Sequence, residues 1–407
     1  MAEIYEKTNI TYIEKGSVGT PRGFKTGGQN IGLRAGRPDM GWIYSEVPAT
    51  AAGVYTTNVF QAAPLQVTRE SMEMGDQLQA VLVNTVSANS CTGQQGIDNA
   101  RTTRKWMAEH LNIAEHLVGV ASTGVIGMQL PMDKMKPGIA SIKLNDPASP
   151  FEEAILTTDT KPKHLAVQLE VDGRQVMIGG ACKGSGMIHP NMATMLGFVT
   201  TDASVAPEAL KAALKSVVNR TFNRITVDGD TSTNDMVLLL ANGRAANQLL
   251  NEQHPEWSIF LQGLEYVCRG LAKFIAGDGE GATKLIEVQV SGARDDESAN
   301  VISKTIVGSS LVKTAIFGGD ANWGRVVCAM GYSGEQFDPK KVSLALGNIA
   351  LFKNGVPVHF DEEEASEYLS GDTVVIRAQL GEGGGKAVAW GCDLTYNYVK
   401  INASYRS

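Results

Sequence analysis

The chain has 407 residues, with 36 Lys+Arg against 43 Asp+Glu and a net charge of −7. That length suits two or three domains of roughly 150 residues, or one large α/β unit, and buries a core without disulfide or metal staples. The acidic balance speaks against nucleic-acid binding, which shows as a basic domain or stripe, and no run approaches the ~18 apolar residues of a membrane helix. Glycine is the outlier at 44 of 407 residues, about 11% against a usual ~7%. These glycines sit in short clusters, not in a repeat. The first residues, MAEIYEKTNITYIEKGS, mix acids and bases without an apolar core, so a secretory signal is not expected. Five scattered cysteines without a Cys-x-x-Cys pair suit reduced thiols in the cytoplasm.

Along the chain, Ala80–Val83 is an apolar run without alternation, the pattern of a strand buried on both faces. Asp98 is expected to cap a helix reaching His110. Leu117–Ala121 is a second buried strand that breaks into Ser122-Thr123-Gly124, and Pro131 opens another helix. His164–Val171 alternates, Asp172-Gly173 is a hairpin turn, and Gln175–Ile178 returns. The segment from Lys183 to Asn191 is glycine-rich and broken by Pro190, which predicts a loop before a β-branched strand over 194–201. A helix is expected over 207–221, a short strand over Ile225–Val227, a long helix from Trp257 to Ile275, and a strand over 284–290. Strands and helices interleave, some strands are hairpin-linked, and no linker stands out. The expectation is a mixed α/β protein of layered sheets flanked by helices, not a Rossmann array.

Familiar motifs mostly fail. Gly381–Lys386 has the wrong spacing for a phosphate loop and reads as a hairpin turn. The Asp228 loop begins like a calcium loop but has Thr233 at its sixth position and Leu239 at its twelfth. The six histidines show no metal-ligand spacing, and no local triad can be built. What remains is the passage from Lys183 to Ala203, where Ala193 precedes Thr194. A threonine hydroxyl is a weak nucleophile without a base. If Thr194 attacked the carbonyl before it and the chain were cut there, its own new α-amine would supply that base. The reference pKa of such an amine, about 7.7–8.0, suits the task. Taken alone, a β-branched residue opening a strand is the plainer reading.

Six blocks carry a resemblance: STGVIG from Ser122, KGSGMIHPNMATML from Lys183, ITVDGDTSTND from Ile225, DGEGATK from Asp278, NWGR from Asn322 and AWGCDLTYNYVKINASY from Ala389. In this order they resemble the ornithine acetyltransferase family of arginine biosynthesis over essentially the whole chain. The resemblance implies an N-terminal-nucleophile-like, self-processing precursor cut between Ala193 and Thr194, giving an α chain (1–193) and a β chain (194–407). Thr194 is then the nucleophile that takes acetyl from N2-acetylornithine and passes it to glutamate, and Thr123 and Gly124 form the oxyanion hole. Thr157, Lys183, Thr194, Glu280, Asn402 and Ser407 match substrate-contacting positions. A lysine suits a substrate carboxylate and a glutamate an ammonium. The C-terminus should fold back over the site, with Ser407 where the family has threonine. No resident cofactor or metal is implied. Acetyl-CoA is a possible co-substrate, although no motif reads out its binding. The family assembles as two α and two β chains in the cytoplasm, without nucleic-acid or membrane partners. The competing readings are an amidase or aminopeptidase of the same self-processing kind with water as acceptor, and a non-catalytic binding protein. Cys182 is expected to be a small buried residue, and His189 is not required.

Overall fold

The computed structural model describes residues 10–189 and 195–404. Ala193, Thr194 and Ser407 lie outside the described residues. Strands and helices are numbered in chain order. The first sheet contains β1 (Thr11–Ile13), β2 (Phe24–Gln29), β3 (Met40–Tyr55), β4 (Gln77–Asn84), β5 (Val118–Ser122), β6 (Lys163–Val171), β7 (Arg174–Lys183), β8 (Leu196–Thr201) and β10 (Met236–Ala241). Its order is β1-β6-β7-β8-β10-β3-β4-β5, with β2 also on β3. The second contains β9 (Ile225–Thr226), β11 (Leu285–Ala293), β12 (Ser343–Leu346), β13 (Ile349–Lys353), β14 (Val356–Pro357), β15 (Thr373–Gln379) and β16 (Gly385–Cys392). Its order is β14-β13-β12-β15-β11-β16-β9.

The helices are α1 (Ala63–Glu73), α2 (Gly93–Leu111), α3 (Met132–Ala140), α4 (Phe151–Ala154), α5 (Pro207–Arg220), α6 (Trp257–Gly277), α7 (Asp296–Gly308), α8 (Ser310–Phe317), α9 (Trp323–Gly331), α10 (Glu362–Leu369) and α11 (Tyr396–Ser404). Helix α6 lies between the sheets, packing on β6 and β7 on one side and on β16 and β9 on the other. One core accordingly joins Leu165, Ile178 and Val199 of the first sheet to Val267 and Leu271 of α6 and Trp390 of β16. Alternation in β11 separates the two faces of the second sheet. Ile286, Val288 and Val290 pack against Ile302 and Ile306 of α7. On the opposite face, Glu287 accepts hydrogen bonds from Lys273 of α6 at 2.9 Å and from Trp390 at 2.8 Å.

The unbroken run in β4 is buried on both faces, as expected. Ala80 and Leu82 meet α2 and α3 through Met107, Met135 and Ile139, while Val81 and Val83 join the core around Ile43 and Phe151. The β6–β7 hairpin turns on Asp172 and Gly173, at φ 54° and 66°, the left-handed pair its tight turn demands. Two expectations are corrected. Helix α2 starts at Gly93 with Thr92 before it, so Asp98 sits inside the helix, where it accepts a hydrogen bond from Gln94 at 3.0 Å. The Gly381–Lys386 passage is not a hairpin turn, because β15 and β16 flank β11 instead of pairing with each other. Its glycines let the chain cross the end of β11, where Glu382 N–H donates to Gly292 O at 2.7 Å.

The first sheet takes strands from both sides of residue 193: β7 pairs β8 antiparallel, and β8 pairs β10 in parallel. Among the described residues no helix is long and apolar enough to cross a membrane.

Candidate active site

Strand ends and loops converge on a cleft of about 230 Å³. It is lined by Thr123 and Gly124 after β5, by Thr157 and Thr158 before β6, and by Lys183 at the end of β7. The Asp228–Asp235 loop, Glu280 beyond α6, and Tyr398 and Asn402 of α11 complete it. The fold therefore brings together Thr123, Gly124, Thr157, Lys183, Glu280 and Asn402, and both threonines at 157–158 face the same space. Met195 and Leu196, which directly follow Thr194 in sequence, line the cleft as well.

The turn after β5 is held from several sides. Thr123 N–H donates to Asn84 O at 3.0 Å, so its hydroxyl is the group left to face the cleft. Lys183 Nζ donates to that hydroxyl at 3.4 Å. Gly124 has φ 133°, and a Cβ there would lie 2.2 Å from the Val86 carbonyl carbon. Only glycine fits so close a crossing. Val86 itself is at φ 75°, a strained conformation for a β-branched residue and one that clusters at functional sites. Asn234 Nδ2 clamps the turn from the other strand, donating to Ser122 O at 2.8 Å and Ala88 O at 2.5 Å.

Beneath Lys183 lies a charge cluster that the sequence reading does not single out. Lys163 is fully buried and donates to Asp159 at 2.6 Å and to Asp278 at 2.5 Å. Asp159 also accepts from the backbone N–H of Gly184 at 2.7 Å and of Thr157 at 3.0 Å. Burial would raise the Asp159 carboxyl, but the charges of Lys183 and Lys163 and these hydrogen bonds outweigh it and hold it below the usual carboxylate range. The two aspartates likewise overcome burial and push Lys163 up. Asp159 thus fixes Thr157, the start of the glycine-rich loop and the field around Lys183 together.

On the far side, Asn402 Nδ2 donates to Glu280 Oε2 at 2.8 Å, so the C-terminal helix does fold back over the cleft. Gly186 lets the Glu280 carboxylate lie against the loop backbone; a Cβ there would sit 2.3 Å from the carboxyl carbon. Glu280 N–H donates to Ser185 O at 2.9 Å, tying the helix end to the same loop.

The wall opposite is the loop between β9 and β10. Asp228 accepts from Met187 N–H at 2.6 Å and Ile188 N–H at 2.8 Å, which explains its acid without a metal. Asp235 is more enclosed, at 3% exposure, but has Ser232 as its hydrogen-bond partner and leaves Oδ2 without one among the described residues. Burial pushes its carboxyl well above the ordinary range, against Ser232 and the charge of Lys183. Asn234 and Asp235 sit in the quoted ITVDGDTSTND block, but only the fold shows what each touches. Cys182 is buried and its thiol is pushed up by that burial, so it is the structural residue expected. His189 is held near 4 by burial, with Lys304 adding to the effect. Its Nδ1 lies 2.9 Å from Thr226 Oγ1, and it lines a neighbouring cavity instead of the cleft.

A profile of the ArgJ family matches residues 25–407. The arginine biosynthesis bifunctional protein ArgJ of Oceanobacillus iheyensis is 55% identical over 399 residues, covering 98% of each chain. The protein of the same name from Bacillus subtilis is 54% identical over 393 residues, covering 96% of this chain and 97% of its own. Among solved structures, the arginine biosynthesis bifunctional protein of Bacillus halodurans aligns with a TM-score of 0.52 at 55% identity, covering 52% of this chain and 100% of the solved one.

Proposed function

The chain belongs to the ArgJ family, acetyltransferase enzymes of arginine biosynthesis, and from that premise we propose that it carries acetyl from N2-acetylornithine to glutamate on Thr194. The observation that carries this reading is the meeting of Thr123, Lys183, Glu280 and Asn402 in one cleft whose lining includes Met195 and Leu196. In the scheme, the Thr194 hydroxyl attacks the acetamide carbonyl while its α-amine takes the hydroxyl proton and returns it to the departing ornithine nitrogen. The Thr123 hydroxyl and the Gly124 turn stabilise the oxyanion. Glutamate then attacks the acetyl ester, giving N-acetylglutamate and free Thr194. Lys183 suits the substrate carboxylate, Glu280 an ammonium held with Asn402, and the threonines at 157–158 the main-chain end of the substrate.

A cut between Ala193 and Thr194 would give fragments of 193 and 407 − 193 = 214 residues. The larger is 214/407, or 53%, of the chain. A solved relative whose whole chain covers 52% of this one is consistent with that division, while the full-length relatives match from end to end. Shared strands across the first sheet would keep both fragments in one fold. We extend the proposal to acetylation of glutamate from acetyl-CoA at the same Thr194, to an assembly of two α and two β chains, and to the cytoplasm.

Denaturing electrophoresis tests the cut, and the smaller-numbered fragment's partner should begin TMLGF. Thr194→Ala should stay whole and inactive. A processed or active Thr194→Ala protein would overturn the nucleophile. Release of acetate in place of N-acetylglutamate would indicate the amidase chemistry.

A further inference from the structure

Acetyl-CoA carries its acyl group on a long arm that ends in phosphates, and phosphates call for cations. The cleft is the wrong place for them. Among the described residues its lining has four carboxyl groups, Asp228, Asp230, Asp235 and Glu280, against the single cation Lys183. A second cavity, of about 510 Å³, has the opposite balance. Its charged walls are Arg220, Arg224 and Lys304 against Glu297, in a chain whose acids outnumber its bases by 43 to 36. What this cavity binds is argued on the proposed use of acetyl-CoA as a donor.

The two spaces are neighbours. Ile188 lines the cleft and His189 the second cavity, so consecutive residues of one loop wall both. That wall is pinned to the loop after β9: Ile188 N–H donates to Asp228 at 2.8 Å, and Thr231 Oγ1 donates to His189 O at 2.9 Å. The cations come from two elements. Arg224 ends the turn Phe222–Arg224, and its Nε donates to Asn219 O at 3.2 Å, which anchors it to the end of α5. Lys304 stands on α7 one turn beyond Asn300, on the same helix face. Arg220 is turned to Glu265 at 2.9 Å, so it adds field more than contact. Burial pulls Lys304 down to about 8. Burial lowers Arg224 too, and Asp296 and Glu297 do not offset it. An anion in the cavity would oppose both shifts. We infer that this cavity binds the phosphate groups of a phosphorylated acyl carrier, with Arg224 and Lys304 as their cationic contacts, while the acyl end of the carrier reaches the neighbouring cleft. N2-acetylornithine has no phosphate, so transfer from it leaves the cavity unused.

The test compares three donors with glutamate as acceptor: acetyl-CoA, acetyl-pantetheine (the same thioester without the phosphates) and N2-acetylornithine. Arg224→Gln and Lys304→Gln should each raise KM for acetyl-CoA ~10–100-fold. Both should leave transfer from N2-acetylornithine and from acetyl-pantetheine as in the wild type, so the gap between the two thioesters closes. Variants with the wild-type KM for acetyl-CoA overturn the inference. Equal losses on all three donors make the two residues structural and overturn it as well. If neither variant folds, wild-type enzyme that uses acetyl-pantetheine as readily as acetyl-CoA overturns it instead. Wild-type enzyme that transfers from N2-acetylornithine but takes nothing from acetyl-CoA also overturns it, and leaves the N2-acetylornithine reading standing. Loss of both transfers refutes the acetyl-transfer reading itself, a distinct result.

Discussion

Asp159 lies beneath Lys183 and Asp235 lines the cleft; they are equally buried, at 4% and 3% exposure, yet their carboxyls shift in opposite directions. Burial acts on both alike, since it disfavours charge. What differs is the company. Asp159 has Lys163, the charge of Lys183 and two backbone N–H groups, whereas Asp235 has Ser232 and the charge of Lys183 without a second lysine. The Asp159 side is built as a fixed ion cluster, whereas Asp235 sits in the wall without such a cluster. The contrast shows that partner charge, not depth, sets protonation here.

The largest expected effect breaks the ion cluster. Lys163→Met leaves Asp159 and Asp278 buried without their shared cation and should cost ~3–5 kcal/mol of stability. Urea unfolding in the uncut Thr194→Ala background reads this, and a loss below about 1 kcal/mol would mean that the aspartates find other partners. Next, Thr123→Ala removes a hydroxyl between the two sides. With cutting verified, kcat for acetyl transfer should fall ~10²–10³-fold while KM changes little; an unchanged kcat would take Thr123 out of the oxyanion hole. A smaller effect follows from Asn402→Ala, which unties Glu280 from the C-terminal helix. It should lower kcat/KM about tenfold, or ~1.4 kcal/mol, chiefly through KM.

The finest readout is the pH dependence of stability, where the two aspartates have opposite signs. Asp159, depressed in the fold, contributes stability above its unfolded value of about 3.9 and loses it as pH falls through the folded value. Asp235, raised in the fold, stays protonated while the unfolded chain ionises. Stability is therefore lost as pH climbs from about 3.9 toward its folded value. In the Thr194→Ala background, Asp159→Asn should be less stable than its parent at neutral pH. Asp235→Asn should be more stable there and equal to it in acid. Melts that shift in the same direction for both would erase the distinction between cluster and wall.

Much of the fold was legible along the chain. The apolar run of β4, the alternation of β6, the Asp172-Gly173 turn and the long α6 all rest on neighbours within a few residues, where period and turn chemistry act. The Asp98 cap failed because Thr92 and Gly93 gave the chain an earlier start, which leaves Asp98 inside the helix beyond its first turn. The reading of Gly381–Lys386 as a hairpin failed because glycines mark a turn without saying which strand lies beyond it. At the site, the family blocks pointed to Thr123, Gly124, Lys183, Glu280 and Asn402. The Lys163 cluster stayed hidden because Asp159 and Asp278 are 119 residues apart by number (278 − 159).

By itself, then, the sequence determined the kinds of elements, the acidic glycine-rich character and the blocks from which the cleft is made. The tertiary structure alone decided that β11 would lie between β15 and β16. It also decided which carboxyl would be held below the ordinary range and which pushed above it. The physical reason is range: periodicity and turn preference are local, whereas desolvation and Coulomb partners depend on which distant strands are brought together.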